Sequence, residues 1–61
     1  MFYKVYYYNS FEKLHDYYIV LADDEKGAEK QFYYRVFTET DLAPEDVEIT
    51  SIELDKDEEE V

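Results

Sequence analysis

His15 is the residue around which nucleophilic chemistry would have to be built, because it is the one histidine of the chain. Such chemistry needs an activated hydroxyl or thiol, a base, and a third group that orients the base. Ser10 and Ser51 would be the nucleophiles, one in a predicted turn and one in a predicted strand. Asp16 follows His15 directly, and neighbours in a strand point to opposite faces, so Asp16 cannot orient the histidine. We therefore interpret His15 as a surface residue near a hairpin.

Carboxylates are the most abundant reactive groups, with 17 Asp and Glu residues in a chain of 61. Glycosidase-type chemistry needs two of them in unlike environments across a cleft, and so short a chain has no room for a deep one. The acidic run 55–60 lacks the glycine and the spacing of a calcium-binding EF-hand loop. One histidine without cysteines cannot form a zinc site, and one glycine cannot form a phosphate-binding loop. We expect no enzyme activity, no metal and no cofactor.

The charge of the chain favours a basic protein as its partner. Six basic residues against 17 acidic ones give a formal net charge of -11. A charge imbalance of this size acts on solubility, electrostatic steering and the choice of partner rather than on the fold. Nucleic acids and anionic membranes would be repelled, and the few basic residues are scattered. We expect no direct binding to nucleic acid or membrane.

Two strands are predicted at the start of the chain. Residues 2–8 are rich in aromatic side chains and contain Val5, a composition typical of a β-strand. Turn-prone residues 9–13 connect them to a second predicted strand, residues 14–22. Tyr17, Ile19 and Leu21 share one face of that strand, and the other face is apolar as well. Both faces are therefore expected to contact other parts of a protein.

A helix and a third strand follow. Asp24 is the predicted N-cap, and apolar Ala28, Phe32 and Val36 then recur every four residues. The helix is predicted to end at residues 38–40, ahead of Pro44, because proline disfavours helix at the residue before it. Residues 47–54 form the third predicted strand. Its apolar positions change parity midway, which predicts a β-bulge near residues 50–51.

This order of elements predicts an α+β domain with ββαβ topology, spanning residues 1–54. A hairpin followed by a right-handed crossover places the third strand beside the first. The result is a three-stranded antiparallel sheet in the order 2-1-3, with one helix packed on one face. Residues 55–61 have no apolar pattern and are predicted to be a disordered acidic tail.

The opposite face of the sheet is left without cover and is expected to be apolar. Large exposed apolar patches usually mark interfaces, and a chain of this size has a marginal core that self-association would support. We therefore predict a two-fold symmetric homodimer. The residues expected on this dimer or interaction face are Tyr3, Val5, Tyr7, Tyr17 and Ile19.

The acidic residues are spread along the whole sequence, and dimerisation would double their charge. Duplex DNA carries one negative charge per roughly 1.7 Å of its axis, so a compact acidic dimer can present a comparable density of carboxylates. Such a surface would compete for the Lys and Arg residues that a DNA-binding protein uses for phosphates. The residues expected to bind a basic partner are Glu12, Asp16, Asp23, Asp24, Glu25, Glu29, Glu39, Asp41, Glu45 and Asp46.

Small size, high acidity, absence of cysteine and a Tyr/Phe-rich strand-strand-helix-strand plan make the chain similar to a known group of proteins. It resembles the small acidic DNA-mimic inhibitors that phages make during host takeover, as an overall pattern without a sequence motif. The resemblance implies an inhibitor that blocks the DNA-binding surface of a basic host protein. A nucleoid-associated protein of the HU type is the favoured target, because such a protein binds the charged DNA backbone and does not depend on the base sequence.

Two alternatives remain open at this point. One is an inhibitor of uracil-DNA glycosylase, which would also need an apolar pocket or wedge for an inserted side chain of the enzyme. The other is a general protein-interaction module that uses the Tyr-rich sheet face. A cysteine-free sequence without a recognisable targeting segment favours the cytoplasm, which would be that of the host cell if a phage encodes the protein.

Overall fold

Strand β1 (Phe2–Asn9) forms the centre of the sheet, with a neighbour hydrogen-bonded on each side. The computed structural model describes residues 1–55. Strands β2 (Leu14–Leu21) and β3 (Val47–Leu54) both pair antiparallel with β1, so the strand order is β2-β1-β3. Helix α1 (Glu25–Glu39) and a short 3₁₀ helix (Pro44–Asp46) lie between β2 and β3. The predicted α+β fold, with order 2-1-3 and one helix, is confirmed.

The β1–β2 connection is held by local side-chain contacts. Asn9 pairs with Leu14 across the hairpin, which leaves four residues in the loop. The buried Asn9 side chain accepts a hydrogen bond from the Glu12 N–H (3.0 Å) and donates one to the Glu12 carboxylate (3.3 Å). Lys13 has a φ of 58°, a left-handed conformation that a side chain rarely adopts. These features fix the register of the hairpin.

Asp24 is the N-cap of α1, as predicted. It has extended backbone angles, and its carboxylate accepts a hydrogen bond from the Gly27 N–H at 2.8 Å. A Cβ atom on Gly27 would lie 3.3 Å from the Ala22 Cβ and 3.3 Å from the Asp24 Oδ1, so the turn from strand to helix is tight there. At the other end, the Thr40 N–H and hydroxyl both donate to the Val36 carbonyl oxygen and end the helix.

The predicted bulge lies at Thr50. Tyr6 pairs with Ser51 and Tyr7 pairs with Ile49, so Thr50 is an extra residue in β3. Because of this extra residue, apolar side chains on both sides of the bulge can face α1. They are Val47, Ile49 and Ile52, all part of or packed against the core.

The core lies between the sheet and α1. Val5, Phe32 and Val36 are its largest fully buried side chains, and burying each of them contributes about 1.5–3 kcal/mol. Aromatic rings complete it: the Phe32 ring centroid lies 5.1 Å from that of Tyr7 and 5.8 Å from that of Tyr18. The helix therefore contributes one apolar stripe, and the hairpin contributes the residues that contact it.

The predicted membership of the uncovered face is wrong for Tyr3, Val5 and Tyr7. All three are buried beneath α1 as part of the core. The hairpin register is the physical reason, because it places Tyr6 opposite Tyr17 and Lys4 opposite Ile19. Opposed residues share a face, so Tyr17 and Ile19 lie on the uncovered face with the even-numbered residues of β1, and the odd-numbered ones face the helix.

Asp55 belongs to the folded domain and not to a disordered tail. It is 8% exposed, and its N–H donates a hydrogen bond of 2.8 Å to the Phe2 carbonyl oxygen. The predicted boundary after residue 54 is therefore too early by at least one residue. The rest of the predicted tail, residues 56–61, lies outside the described residues. Within the described part of the chain, no helix is long and apolar enough to cross a bilayer.

Candidate partner-binding surfaces

Acidic residues gather at the two ends of an elongated molecule. The described residues extend 35 Å along the longest axis and 18 and 17 Å across it. One end, here called the helix-start end, contains the acidic residues Asp23, Asp24 and Glu25. The other, here called the hairpin end, is formed by the β1–β2 loop and residues 40–46, and the Ser10 N–H joins the two segments by donating to the Asp46 carbonyl oxygen at 2.8 Å.

The ten acidic residues predicted to bind a partner lie at the surface, with Asp46 half-buried and the other nine exposed. Some have structural contacts as well. Asp24 caps α1, and Asp46 accepts a hydrogen bond of 3.3 Å from the Ala43 N–H. Asp16 accepts one of 2.8 Å from the Tyr17 N–H, and Glu39 forms an ion pair with Arg35 at 3.2 Å.

Five of the ten carboxylates have no such contact. Their side chains form no hydrogen bond or ion pair with any residue of the range 1–55, and all five are exposed: Asp23, Glu25, Glu29, Asp41 and Glu45. A carboxylate without a partner at a protein surface is hydrated, and it is available to a basic group of another molecule. The structure thus leaves unneutralised negative charge at both ends and along the helix.

Arg35 does little to offset this charge, because it is held within the fold. Its guanidinium lies 5.2 Å from the Tyr18 ring centroid and donates a 2.9 Å hydrogen bond to the Ile19 carbonyl oxygen. It also forms the ion pair with Glu39. Arg35 therefore acts as a packing residue between α1 and the edge of β2.

The hairpin end contains an open depression of about 500 Å³. Tyr7, Leu42 and Phe11 are among its lining residues, and Phe11 is 74% exposed. The carboxylates of Glu12, Asp41 and Asp46 also line it. Sequence reasoning placed these carboxylates on a binding surface but missed Phe11. A phenylalanine in a polar turn was the signal that could have drawn attention to it.

The walls of this depression are fixed by hydrogen bonds. The Thr40 hydroxyl donates to the Val36 carbonyl oxygen at 2.6 Å and accepts from the Leu42 N–H at 3.2 Å. On the opposite wall, Asn9 holds Glu12 through its side-chain amide. The positions of the lining carboxylates are therefore set by the fold.

Tyr7 connects the depression to the core. Its side chain is 7% exposed, and its hydroxyl forms no hydrogen bond with any residue of the described range. Burial raises the pKa of the Tyr7 phenol above its ordinary value, and the negative charges of Asp16 and Glu12, with Tyr18, raise it further. No buried side-chain nitrogen or oxygen among residues 1–55 lacks a hydrogen-bond partner, so the Tyr7 hydroxyl reaches solvent, where a neutral phenol can both donate to water and accept from it.

The uncovered sheet face is aromatic and aliphatic. The Tyr6 and Tyr17 ring centroids are 5.6 Å apart, and the Lys4 Nζ lies 5.5 Å from the Tyr17 ring centroid. Large apolar side chains are exposed alongside them, Leu21 most of all at 62%. Sequence reasoning identified Tyr17 and Ile19 here but missed Tyr6, because both parities of β1 are aromatic.

His15 lies on this face too, 4.9 Å from Tyr8 between ring centroids. The structure gives it no hydrogen bond to Ser10 or Ser51, the predicted candidate nucleophiles, within residues 1–55. Across the same range, no three His, Cys, Asp or Glu side chains are arranged to hold a metal ion. What this surface offers is charge and aromatic area for contact with another molecule.

Comparisons with models of known protein families, with curated proteins and with solved structures gave no match for this chain.

Proposed function

We propose that this protein is an acidic DNA mimic, which binds and blocks the DNA-binding surface of a basic host protein. A nucleoid-associated protein of the HU type is the favoured target. The observation that carries the proposal is the set of exposed carboxylates without partners among residues 1–55, placed at both ends and along α1. Charges left unneutralised within the fold are available to a basic surface.

The dimensions of the molecule fit this role. Its 35 Å length is close to one helical turn of B-DNA, about 34 Å. A duplex of that length carries on the order of 20 phosphate charges. Residues 1–55 of one chain contain 13 carboxylates, so a second copy alongside would bring the charge of the assembly close to that of DNA.

The mechanism is occlusion. Opposite charges speed the encounter between the acidic protein and a basic surface, and contact then excludes the phosphates of DNA from the same Lys and Arg residues. No step of this mechanism needs a catalytic group, a metal or a cofactor.

The test is displacement of DNA from a purified HU-type protein, followed by the fluorescence anisotropy of a labelled duplex. We expect this protein to release the duplex, and we expect its potency to fall steeply with added salt. Two charge-reversal variants probe the ends separately: Asp23→Lys with Glu25→Lys, and Asp41→Lys with Glu45→Lys. Each should weaken displacement about tenfold or more, because a like charge now faces the basic partner.

Tyr34→Ala, which deletes a ring that is 68% exposed on α1 and lies outside the uncovered sheet face, is the matched control, and it should displace DNA as the unmodified protein does. The proposal is wrong if the unmodified protein fails to displace DNA from HU-type proteins and from other basic DNA-binding proteins, uracil-DNA glycosylase included. Displacement from the glycosylase alone would keep DNA mimicry and change the target.

Exposure of Tyr17, Ile19 and Leu21 supports a second candidate, a protein-interaction module that binds through the uncovered sheet face. In that case Tyr17→Ala would abolish partner binding, the two charge-reversal variants would leave it intact, and added salt would change it little.

A further inference from the structure

We infer that the uncovered sheet face is a docking surface for one basic amphipathic α-helix of a protein partner. The inference goes beyond DNA mimicry, which uses the acidic ends of the molecule and the outer side of α1. It rests on the second candidate function for the statement that this face binds a partner, and it adds the shape and the charge of that partner.

The apolar side of the face lies along β2 and β1. Tyr17, Ile19 and Leu21 of β2 are all exposed there. Across the hairpin, Tyr6 pairs with Tyr17 and Phe2 pairs with Leu21, so the aromatic side chains of β1 continue the same surface. The result is an apolar stripe that runs along the strands, as the stripe of a docked helix does.

Carboxylates occupy the other side of the same face. Glu48 pairs with Tyr8 and Glu53 pairs with Lys4, so both carboxylates project from β3 on this side of the sheet, and both are exposed. Lys4 is the one Lys or Arg that the three strands place on the face, and the whole chain has a charge of -11. A partner with apolar residues toward β2 and basic residues toward β3 therefore matches it.

The size of the face fits one helix better than a second copy of the chain. Three strands of eight residues, about 4.8 Å apart, cover roughly 14 by 27 Å. A helix with its side chains is about 10–12 Å wide, and about 18 residues of it reach about 27 Å. A second copy would bring another charge of -11 to a face smaller than the roughly 800 Å² of a standard interface, whereas a basic helix would be attracted.

The sheet already packs one helix on its opposite face. Helix α1 buries Ala28, Phe32 and Val36, which are spaced four residues apart, in the core that it forms with the sheet. A partner helix with the same spacing of apolar residues would form the third layer of a helix–sheet–helix arrangement, which is a stable way to cover both faces of a sheet.

A depression beside the bulge gives a side chain of the partner helix a place to enter. It has a volume of about 500 Å³, and Tyr6 and Tyr17 are among its lining residues. His15, Ser51 and Glu53 line it as well. An apolar side chain that enters this depression would contact aromatic rings, and a basic residue one turn away would lie near Glu53.

The test uses three 18-residue peptides, titrated into the full chain at 0.15 M NaCl and followed by NMR and circular dichroism. The probe is acetyl-(KLQALAK)₂KLQA-amide, which has one leucine stripe and basic residues. One control has the same composition with its leucines spread around the helix, and the other has Glu in place of every Lys. We expect the probe to bind one to one, to become helical and to shift the signals of the uncovered face, and both controls to bind about tenfold more weakly or worse.

Variants locate the contact. Leu21→Gln should weaken the probe about tenfold, because an apolar contact is lost, and Tyr34→Gln on α1 should leave its affinity unchanged. Glu48→Gln with Glu53→Gln should weaken it about two- to fivefold. Asp23→Asn with Glu25→Gln makes a matched charge change away from the face, and it should weaken the probe by less than about twofold, through the general field alone.

Equal affinity for the rearranged peptide would reduce the binding to a charge effect, and shift changes confined to the acidic ends would place it elsewhere. Either result would overturn the inference. Equal affinity for the acidic peptide would overturn the basic helix and leave the second candidate function standing. If the probe failed to bind while the signals of the face changed with protein concentration, the occupant would be a second copy and the inference would be wrong. The assay contains no DNA and no DNA-binding protein, so its outcome is separate from that of the displacement test.

Discussion

Tyr7 takes part in two regions of the molecule at once. Its ring packs in the core, 5.1 Å from Phe32 and 5.8 Å from Tyr18 between centroids, and the residue also lines the hairpin-end depression together with Glu12, Asp41 and Asp46. This position lowers the free energy of unfolding at high pH. Burial and the negative charges of Asp16 and Glu12 raise the pKa of the phenol, so the folded chain keeps a proton that the unfolded chain loses near pH 10.

The stabilising effect of this proton is complete below about pH 10 and is lost as the pH rises through the higher pKa of the folded state. As the pH rises from about 9 to about 11, we therefore expect the free energy of unfolding to fall less for Tyr7→Phe than for the unmodified protein. Urea denaturation at each pH measures this difference. Tyr34→Phe, at an exposed position, should follow the unmodified protein, and an equal effect of both variants would contradict the role of burial.

At the scale of the elements, the start of α1 depends on a single carboxylate. Asp24→Ala removes the acceptor for the Gly27 N–H and should lower the free energy of unfolding by about 1 kcal/mol. Asp23→Ala removes the same charge from the adjacent position without touching the cap, and it should change stability by less than about 0.5 kcal/mol.

Asp24→Asn keeps an oxygen acceptor and should retain most of the stability. Thermal or urea unfolding of the three variants separates the hydrogen bond from the charge. If Asp23→Ala and Asp24→Ala were equally destabilised, the effect would come from the helix dipole and not from the cap.

The elements that the sequence predicts well are those whose signals are local. Asp24 ahead of an apolar repeat, Pro44 after the helix and the parity change at Thr50 each depend on a few neighbouring residues, and the structure agrees with all three. The strand order follows from these signals and from chain connectivity.

The faces of β1 could not be predicted in the same way. Tyr3, Val5 and Tyr7 alternate with Phe2, Tyr6 and Tyr8, so the sequence predicts that both faces of β1 are apolar. Which of the two faces packs against α1 depends on the hairpin register. That register is fixed by contacts of Asn9 and by the backbone of Lys13. For the candidate site, the acidic residues were predictable, but the exposure of Phe11 and the burial of the Tyr7 ring arise from tertiary packing.

At the scale of the whole molecule, the uncovered sheet face favours self-association and the net charge opposes it. Three strands about 4.8 Å apart, with eight residues of about 3.4 Å rise each, give a face of roughly 14 by 27 Å. The area of this face is small compared with the roughly 800 Å² that each partner buries in a standard interface. A homodimer through Tyr17, Ile19 and Leu21 would therefore be weak, and repulsion between two chains of charge -11 opposes it.

Salt should shift self-association and partner binding in opposite directions. Screening shortens the Debye length from about 10 Å at 0.1 M to about 3 Å at 1 M, which relieves repulsion between copies and weakens attraction to a basic protein. We expect the average mass from sedimentation at micromolar concentration to rise with added NaCl. Leu21→Gln should prevent the rise and Tyr34→Gln should not. A one-chain mass at every salt concentration would contradict the dimer.

The placement of Arg35 and of the Thr50 bulge has a consequence for long-term assembly. The stretch Phe2–Asn9 is rich in β-forming residues with one charge, Lys4, and would favour cross-β pairing if it were exposed, yet it lies in the middle of the sheet with both sides occupied. The outer side of β2 has its Ile19 carbonyl taken by Arg35, and the outer strand β3 is interrupted by the bulge. We therefore expect both edges of this tyrosine-rich sheet to pair poorly with another chain, and the Phe2–Asn9 segment to become accessible when the sheet opens.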